Sequence, residues 1–282
     1  MRTFKNLTEN VQEAITMPYG TDFNRPANPE EGMVRYNTTQ DALEFYNGTS
    51  WYIIGDNAVA TTPSEVTDGL FGHWDASNSS SYSGSGSSFD DLTSNGNSLT
   101  LNSLTFNSAG VKYFDFNGSN SYMSYSGGSI FKALNSQTFS VVIWLNYDNL
   151  GGQVISDMAT SNSREISLYT DPLKGNVQNG GTVNRPTLSS SLNSNQWYQV
   201  SFTYDNSSGS GNLYINSSLE ANASQIVNPD ISNHSAFSIG KLALNSSDFF
   251  DGKIADIKIY NKALSSEEVT QNFDAKKSTF GL

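Results

Sequence analysis

The chain of 282 residues contains no cysteine, which excludes disulfide bonds and thiolate metal ligands. A β-rich protein that works outside a cell without disulfides is typical of a particle assembled in a reducing cytoplasm. Charged residues are also scarce, at 15% of the chain, so Ser, Asn, Thr, Gly and Tyr must cover much of the surface. Because Ser, Asn and Gly are turn formers, this composition favours short strands over a helical bundle or an α/β enzyme.

Basic residues are few, with 15 Lys and Arg against 27 Asp and Glu, and the formal net charge is −12. Binding to nucleic-acid phosphates needs clustered basic residues, so we expect no nucleic-acid partner. The longest strongly apolar run, residues 141–145, is far too short to span a bilayer, and the first residues show no secretory signal. We therefore expect no membrane insertion.

The N-terminal quarter is predicted to hold an arm, residues 1–24, and a small β-meander, residues 25–55. Residues 6–16 carry apolar side chains at helical spacing and form either one short amphipathic helix or an extended arm that orders on a partner. Strands are predicted at 32–37, 42–46 and 50–54, with a hairpin turn at Asn47-Gly48. Such a sheet is too small to be stable alone, so its aromatic residues need another chain or domain to cover them.

The rest of the chain is predicted to form one β-sandwich, residues 69–275, after a linker at 56–68 and before a tail at 276–282. Strand patterns recur at sandwich-like intervals, and no helical pattern intervenes until the end. The strands are predicted at 98–105, 112–116, 121–125, 138–146, 153–157, 165–170, 197–204, 212–215, 237–239 and 252–260. Trp144 and Trp197 are predicted to pack in the core.

The last predicted strand runs directly into a predicted helix. Ala255, Ile257 and Ile259 alternate with Ile254, Asp256, Lys258 and Tyr260, which predicts that these two sets lie on opposite faces. Ser265 and Glu268 have capping-box spacing, and Leu264 and Val269 have the spacing of a hydrophobic staple. A helix therefore begins just after Ser265.

The N-terminal meander resembles a module of bacteriophage appendage proteins. The run RPANPEEGMVRYNTTQDALEFYNGTSWYIIG, residues 25–55, is similar to a short module of tail fibres, whiskers and related appendages of tailed phages. In such proteins the module commonly lies in trimeric assemblies. The resemblance therefore implies a homotrimer that contacts other virion proteins through residues 1–55.

The sandwich resembles a second family. The blocks YFDFNGSNSYMSYS, FSVVIWLNYD, NQWYQVSFTYD, GNLYINSSLEAN and FFDGKIADIKIYNKALSSEEV follow one another between residues 113 and 269. In this order they look like a laminin-G-like, concanavalin-A-like jelly-roll domain. The resemblance implies an all-β fold whose members bind carbohydrates, proteins or calcium or serve as structural modules, and fold alone does not choose among these.

No catalytic residues are predicted. A retaining glycanase needs two carboxylates about 5–5.5 Å apart, which a Glu-x-Asp-x-Glu strand can supply, and the chain has no such triad. Beyond residue 68 the glutamates are Glu165, Glu220, Glu267 and Glu268. His73 and His234 lie far apart in sequence, without a serine elbow nearby. Three aromatic residues in or beside loops are candidates for stacking on sugars or are ordinary surface aromatics: Tyr82, Tyr169 and Phe249.

A structural calcium ion is the metal hypothesis that the sequence offers. Calcium takes carboxylate and carbonyl oxygens. Asp256 is predicted in mid-strand, where a charge is costly unless it is paired. In laminin-G-like domains an acid at the matching position often binds a structural Ca²⁺ near the first strand, where Asp75 lies. The resemblance thus implies Asp75 and Asp256 as ligands, and the alternatives are that Asp256 pairs with a lysine or faces solvent.

Together these observations predict a phage virion protein that is not an enzyme. It is expected to be a short oligomeric appendage on the outside of the virion, such as a head fibre, whisker or fibre tip, that adheres to host-surface polysaccharide. The alternative is a purely structural capsid decoration protein. A polysaccharide depolymerase is the third and less favoured hypothesis.

Overall fold

The computed structural model describes residues 17–54, 63–159, 164–189 and 191–282. The chain divides into two compact units, Met1–Thr61 and Thr62–Leu282. The predicted helix or arm at 6–16 and residues 56–62 of the predicted linker lie outside the described residues. Within the described ranges, no helix is both long and apolar enough to cross a bilayer.

The first unit is a four-stranded sheet in the order β1-β2-β3-β4. Its strands are β1 (Tyr19–Gly20), β2 (Val34–Asn37), β3 (Ala42–Tyr46) and β4 (Trp51–Ile54). Strands β2 to β4 form an antiparallel meander, and β1 pairs with β2 in parallel. The β3–β4 turn forms as predicted, because Asn47 Oδ1 accepts hydrogen bonds from the backbone N–H groups of Thr49 and Ser50. Gly48 supplies the positive φ, +94°, that this turn requires.

The two faces of this small sheet have an unusual distribution of polarity. The buried face carries Arg35, Asn37 and Glu44, where Glu44 pairs with Arg35 and with Arg25 from the preceding segment. The alternate positions form an apolar face that is half-buried or exposed. This apolar face comprises Val34, Tyr36, Leu43, Phe45, Tyr52 and Ile54. Within residues 17–54, the charged side of the sheet is thus buried and the hydrophobic side is only half-buried or exposed.

The second unit is an antiparallel β-sandwich with two short helices. Its strands are β5 (Leu70–Asp75), β6 (Ser88–Phe89), β7 (Leu99–Asn102), β8 (Thr105–Asn107), β9 (Tyr113–Asn117), β10 (Tyr122–Tyr125), β11 (Phe139–Asn149), β12 (Gln153–Ala159), β13 (Arg164–Thr170), β14 (Leu173–Asn179), β15 (Thr182–Asn184), β16 (Tyr198–Asp205), β17 (Ser210–Ile215), β18 (Ser218–Ser224), β19 (His234–Ile239) and β20 (Asp251–Tyr260). The helices are α1 (Ile130–Leu134) and α2 (Ser266–Lys276), with 3₁₀ turns at Asp22–Asn24 in the first unit and at Ile231–Asn233 and Lys277–Phe280 here.

Two sheets enclose a single large apolar core. Sheet I runs β18-β17-β16-β11-β20-β9-β8, with β5 paired to β20, and sheet II runs β15-β14-β13-β12-β19-β10-β7-β6. Side chains from both sheets interdigitate in the core. The predicted all-β class, with a small meander and a larger sandwich, is confirmed.

Strand β11 shows why the sequence forms this layer. Phe139, Val141, Ile143 and Leu145 face the core between the sheets, as their period of two predicts. Trp144 is also fully buried, but it lies on the opposite side of sheet I and stacks on Phe273 and Phe280. Its predicted burial is confirmed, but it packs against α2 and Lys277–Phe280, which we call the C-terminal layer, and not between the two sheets.

Strand β20 departs from the predicted alternation at one point. Its register with β11 passes from Trp144–Asp256 to Leu145–Ile254, so Ala255 is an extra residue in a β-bulge. The bulge returns Ile254 to the core beside Ile257 and Ile259, whereas the uninterrupted alternation predicted Ile254 on the side of Asp256. Asp256, Lys258 and Tyr260 still lie together on the outer face of sheet I.

Both ends of the second unit extend beyond the predicted limits of 69 and 275. Val66, placed in the predicted linker, is buried, and its backbone N–H donates to Asn272 Oδ1 while its carbonyl accepts from the Tyr260 hydroxyl. At the other end, Phe280 of the predicted tail stacks on Trp144. Helix α2 begins as predicted, because Ser265 and Glu268 form the reciprocal capping box and Leu264 and Val269 are buried.

The position of Trp197 also differs from the prediction, which placed this residue in the core. Strand β16 begins at Tyr198, and the half-buried Trp197 packs between Tyr113 and Phe280 at the edge of the C-terminal layer.

Candidate functional site

The outward side of sheet II on strands β12 to β14 carries a continuous set of polar side chains. Core residues such as Ile155, Ile166, Leu168 and Val177 alternate along these strands with side chains that point away from the core. We call this surface the polar face; with Arg185, which follows β15, it comprises Gln153, Glu165, Tyr169, Lys174, Asn176, Gln178 and Arg185. No helix covers it in the described part of the chain.

Buried amides hold the charged groups of the polar face in place. Gln153 Nε2 donates to Glu165 Oε1 at 3.3 Å, and Asn176 Nδ2 lies 3.5 Å from Glu165 Oε2. Asn176 Oδ1 accepts from Arg185 Nε at 2.8 Å. Gln153 and Asn176 are buried, Glu165 is half-buried and Arg185 is exposed. The Asn176 amide thus orients a carboxylate through its nitrogen and a guanidinium through its oxygen.

An aromatic ring lies at one end of this network. Tyr169 is half-buried, and Lys174 Nζ lies 4.6 Å from the centroid of its ring. The two residues are register partners across β13 and β14. Tyr169 is also the register partner of Gln153 on β12, so this surface carries both planar hydrogen-bonding groups and an aromatic ring, the groups that bind sugar hydroxyls and an apolar sugar face.

The segment between β19 and β20 borders the polar face. Ala243 donates its backbone N–H to Ser156 Oγ of β12 at 3.2 Å. Lys241 Nζ lies 4.8 Å above the ring of Tyr122 and donates to the carbonyl of Asn245. Burial lowers the pKa of Lys241 from its ordinary value. This segment is thus held by Ser156 of β12 and by Tyr122 of β10, and it forms the boundary of the polar face on the side of β10.

The predicted metal ligands Asp75 and Asp256 do come together, but an ammonium group lies between them. The two residues are register partners on β5 and β20. Lys276 Nζ of α2 donates to Asp75 Oδ2 at 2.7 Å and also to Asp256 Oδ2. The alternative prediction, that Asp256 pairs with a lysine, describes what is found.

These residues belong to a larger group, which we call the ion cluster: Glu65, His73, Asp75, Asp256, Lys258 and Lys276. Lys258 Nζ contacts Asp256 Oδ1 and lies 2.6 Å from Glu65 Oε1, and His73 Nε2 lies 3.2 Å from Asp256 Oδ2. Burial alone would raise the pKa of Asp256, but Lys258 and Lys276 hold it well below its ordinary value. Burial would lower the pKa of Lys276, and the carboxylates of Asp256, Asp75 and Glu65 raise it instead.

The ion cluster does not fit a calcium ion. Calcium takes six to eight oxygen ligands at about 2.3–2.6 Å. Both carboxylate oxygens of Asp256 are already bound by ammonium groups, and Asp75 Oδ2 is bound by Lys276. Glu65, His73 and Asp256 are also close enough to share an ion, but Lys258 Nζ lies between Glu65 and Asp256. Two positive charges therefore occupy the position that the sequence hypothesis gives to the metal.

A second buried group contains the residue types of a hydrolase without their usual arrangement. Asp157 accepts hydrogen bonds from Ser129 Oγ and is also bonded to His234 Nδ1. Ser129 is the N-cap of α1 and accepts from the backbone of Lys132. All three side chains are buried, and burial raises the pKa of Asp157 against the opposing effect of His234. Since the serine is bonded to the acid and not to the histidine, this group fastens α1 to sheet II.

The other sequence candidates lie elsewhere. Tyr82 packs edge-on against Phe106 and Phe114 and belongs to the core margin. Phe249 is half-buried and forms an isolated bridge to Gln153, at the edge of the polar face. Of the three aromatic candidates, Tyr169 lies on the polar face, with its ring against Lys174.

Two sets of residues in these sites were not predicted from the sequence. Lys174, Asn176 and Gln178 alternate with Gly175 and Val177, so a period of two was there to indicate strand β14 and its outward face. Glu65 and Lys276 carried no local signal, because their partners lie far away along the chain.

Comparison with known proteins places the second unit in a family. The model of the family Laminin_G_3, described as the concanavalin A-like lectin/glucanases superfamily, matches residues 117–270, more than half of the chain. No curated protein matches the sequence.

Several solved structures share the fold. Domain 4 of AbnA, a GH43 extracellular arabinanase from Geobacillus stearothermophilus solved with arabinotriose, superposes with a TM-score of 0.57 at 18% identity. This match covers 72% of the present chain and 97% of the arabinanase domain.

Two toxin domains are similar in the same way. The binding domain of botulinum neurotoxin DC in complex with SialylT gives a TM-score of 0.58 at 15% identity over 74% of the chain, and that of Paraclostridial Mosquitocidal Protein 1 gives 0.55 at 19% over 73%. The chain spans 52% of each toxin structure. At these identities the likeness concerns the fold alone. With the family match and the observed jelly roll, the chain belongs to the laminin-G-like family of the concanavalin A-like lectin/glucanases superfamily.

Proposed function

We propose that this protein is a non-enzymatic glycan-binding component of a bacteriophage virion. In this proposal the jelly-roll unit contacts polysaccharide on the host surface, and the N-terminal unit joins copies of the chain into a short external appendage, a homotrimer, and attaches it to other virion proteins. The observation that carries the binding function is the polar face, where the amides of Gln153 and Asn176 hold Glu165 and Arg185 on the same side of sheet II as Tyr169.

The chemistry of the polar face suits a neutral or mixed-charge polysaccharide. Amide, carboxylate and guanidinium groups each bind two neighbouring hydroxyls, and an aromatic ring packs on the C–H face of a sugar. Two proteins of similar fold support the same ligand class, since the arabinanase domain was solved with arabinotriose and the neurotoxin DC domain with SialylT. The polar face is open, which favours an internal stretch of a long chain over a single enclosed sugar.

Binding without catalysis is favoured by the distribution of carboxylates. On the polar face Glu165 is bonded to the amides of Gln153 and Asn176, and among the described residues no second carboxylate is hydrogen-bonded to them. The buried Asp157 and the paired Asp256 are occupied by His234 and by lysines. A glycosidase needs a pair of carboxyl groups that flank the scissile bond.

The N-terminal unit supports self-association through its apolar face. Leu43, Phe45, Tyr52 and their neighbours form an uncharged hydrophobic surface on a sheet too small to be stable alone. The same surface on another copy is apolar and uncharged as well, so copies can cover each other without burying a charge despite the chain's net charge of −12.

The experiment is a screen of the full chain on an array of bacterial surface polysaccharides. Adhesion predicts saturable binding without release of reducing sugar ends. Binding with sugar release would establish the depolymerase, and no binding to any host polysaccharide would leave the decoration protein as the function. Immunogold labelling and mass spectrometry of purified virions test the external location.

The oligomer is tested by light scattering after size-exclusion chromatography. The intact chain is expected to be trimeric, and Phe45→Lys is expected to yield monomers because it places a charge in the apolar face. Thr38→Lys, in the exposed β2–β3 turn, serves as the control that keeps the trimer. A monomeric intact chain would contradict the proposed assembly.

A further inference from the structure

Lys276 occupies the point between two facing carboxylates of sheet I. Its Nζ lies 2.7 Å from Asp75 Oδ2 and is hydrogen-bonded to Asp256 Oδ2, and it lies 3.7 Å from Glu65 Oε1. The side chain of Lys276 is only 17% exposed, and that of Asp256 is 1% exposed. A single ammonium group therefore links three acids from different parts of the chain, as a bound cation does.

Two acids this close on neighbouring strands require a positive charge between them. Asp75 and Asp256 are paired in register, and two buried carboxylates destabilise the fold unless a cation neutralises them. Lys258 neutralises the other carboxylate oxygen of Asp256, Oδ1, and also pairs with Glu65 Oε1. With both ammonium groups in place, an added divalent ion would meet two positive charges at contact distance.

We propose that Lys276 is a built-in cation that replaces a divalent metal ion at this position, and that removal of its ammonium group uncovers a metal site formed by Asp75 and Asp256. The helix that carries Lys276 is thereby docked by charge neutralisation as well as by apolar packing. This makes the stability of the jelly roll independent of calcium, a property separate from whether the domain binds glycans.

The surroundings allow an ion to enter once the ammonium group is gone. A small cleft of about 40 Å³ lies beside Asp75 and Lys276 and is also lined by Ser77, Lys112, Ala255 and Thr279. This is room for a few water molecules, which complete the oxygen shell of a hard cation. The Ser77 hydroxyl donates to Asp75 Oδ1 and keeps that carboxylate oriented toward the cleft.

The first test uses the intact natural chain. Its melting temperature is expected to change by less than about 1 °C between excess chelator and millimolar Ca²⁺, because only ligand binding to the folded state shifts the melt. Calorimetric titration with Ca²⁺ is expected to give no binding heat. A one-site Ca²⁺ isotherm that Asp256→Asn abolishes would overturn the proposal, whereas the melting comparison uses the natural chain alone.

The second test creates the metal site. Lys276→Gln is expected to melt at a lower temperature in chelator and to recover about 5–10 °C in Ca²⁺ at one hundred times its Kd, with one ion bound per chain. Lys277→Gln is the matched control, because Lys277 is the next residue and pairs only with the nearby Asp274. Its melt should not respond to Ca²⁺.

The remaining outcomes also decide the proposal. Recovery of folded Lys276→Gln only when Ca²⁺ is present during refolding supports it. A Lys276→Gln chain that melts like the natural chain contradicts it, because the two acids then need no cation. A Lys276→Gln chain that is destabilised and gains nothing from Ca²⁺ also contradicts it, because the acids then form no metal site.

Discussion

The ring of Phe280 stacks on the ring of Trp144, with centroids 4.0 Å apart and planes within 10°. Trp144 lies in the middle of β11, and Phe280 lies two residues from the last residue of the chain. The C-terminal layer is therefore part of the sandwich and seals the outer face of sheet I.

Loss of this ring is expected to destabilise the jelly roll. Phe280→Ala uncovers Trp144, and we expect the free energy of unfolding to fall by about 1–3 kcal/mol. For a unit of this size that corresponds to a drop of roughly 2–4 °C in Tm per kcal/mol, measured by thermal denaturation. Leu282→Ala, at a side chain that is 49% exposed, is the control. Equal melting of both variants would show that the C-terminal layer contributes nothing.

Acid stability should depend on Asp256. Because Lys258 and Lys276 lower the pKa of its carboxyl in the folded state, the unfolded chain takes up a proton first, near the ordinary value of about 3.9. The stabilisation is therefore complete above that pH and is lost as the pH falls toward the folded pKa. Chemical denaturation between pH 3 and 7 measures it.

A variant isolates this contribution. Asp256→Asn lacks the titrating group, and we expect its stability to change less between pH 7 and pH 3 than that of the natural chain. Parallel profiles of unfolding free energy against pH for the natural chain and Asp256→Asn would argue against the paired carboxylate.

In the N-terminal unit the buried Glu44 is expected to be essential. Glu44→Gln removes the partner of Arg25 and Arg35, and an uncompensated buried charge typically costs about 3–5 kcal/mol. We expect rapid proteolysis of residues 17–54 and a changed emission of Trp51, the one tryptophan of residues 1–61. Glu31→Gln, in an exposed turn, is the control. Protease resistance equal to that of the control would show that the ion pairs are dispensable.

The sequence predicted those parts of the fold that depend on local pattern. The alternation of β11, the Asn47-Gly48 turn and the capping box at Ser265 all depend on residues a few positions apart, and all three formed as expected. The bulge at Ala255 did not follow, because it arises from the register between β20 and β11.

The sites were less predictable for the same physical reason. Asp75 and Asp256 were expected to meet, and they do, but the identity of their cation depends on the path of α2, which brings Lys276 back over sheet I. The polar face required β14 to be recognised as a strand, and its glycine and amide residues are weak strand formers. The side chains of different strands can be assigned to one surface only when the order of the strands in the sheet is known.

Glycan binding by the polar face of sheet II is best tested by titration calorimetry with a polysaccharide selected on the array. Tyr169→Ala and Glu165→Gln are each expected to weaken binding by at least tenfold without lowering Tm, because they remove the aromatic ring and the oriented carboxylate. Thr100→Ala, at an exposed position on the same side of sheet II near its far edge, should bind as the natural chain does. Unchanged affinity in both polar-face variants, or an equal loss in Thr100→Ala, would contradict the claim.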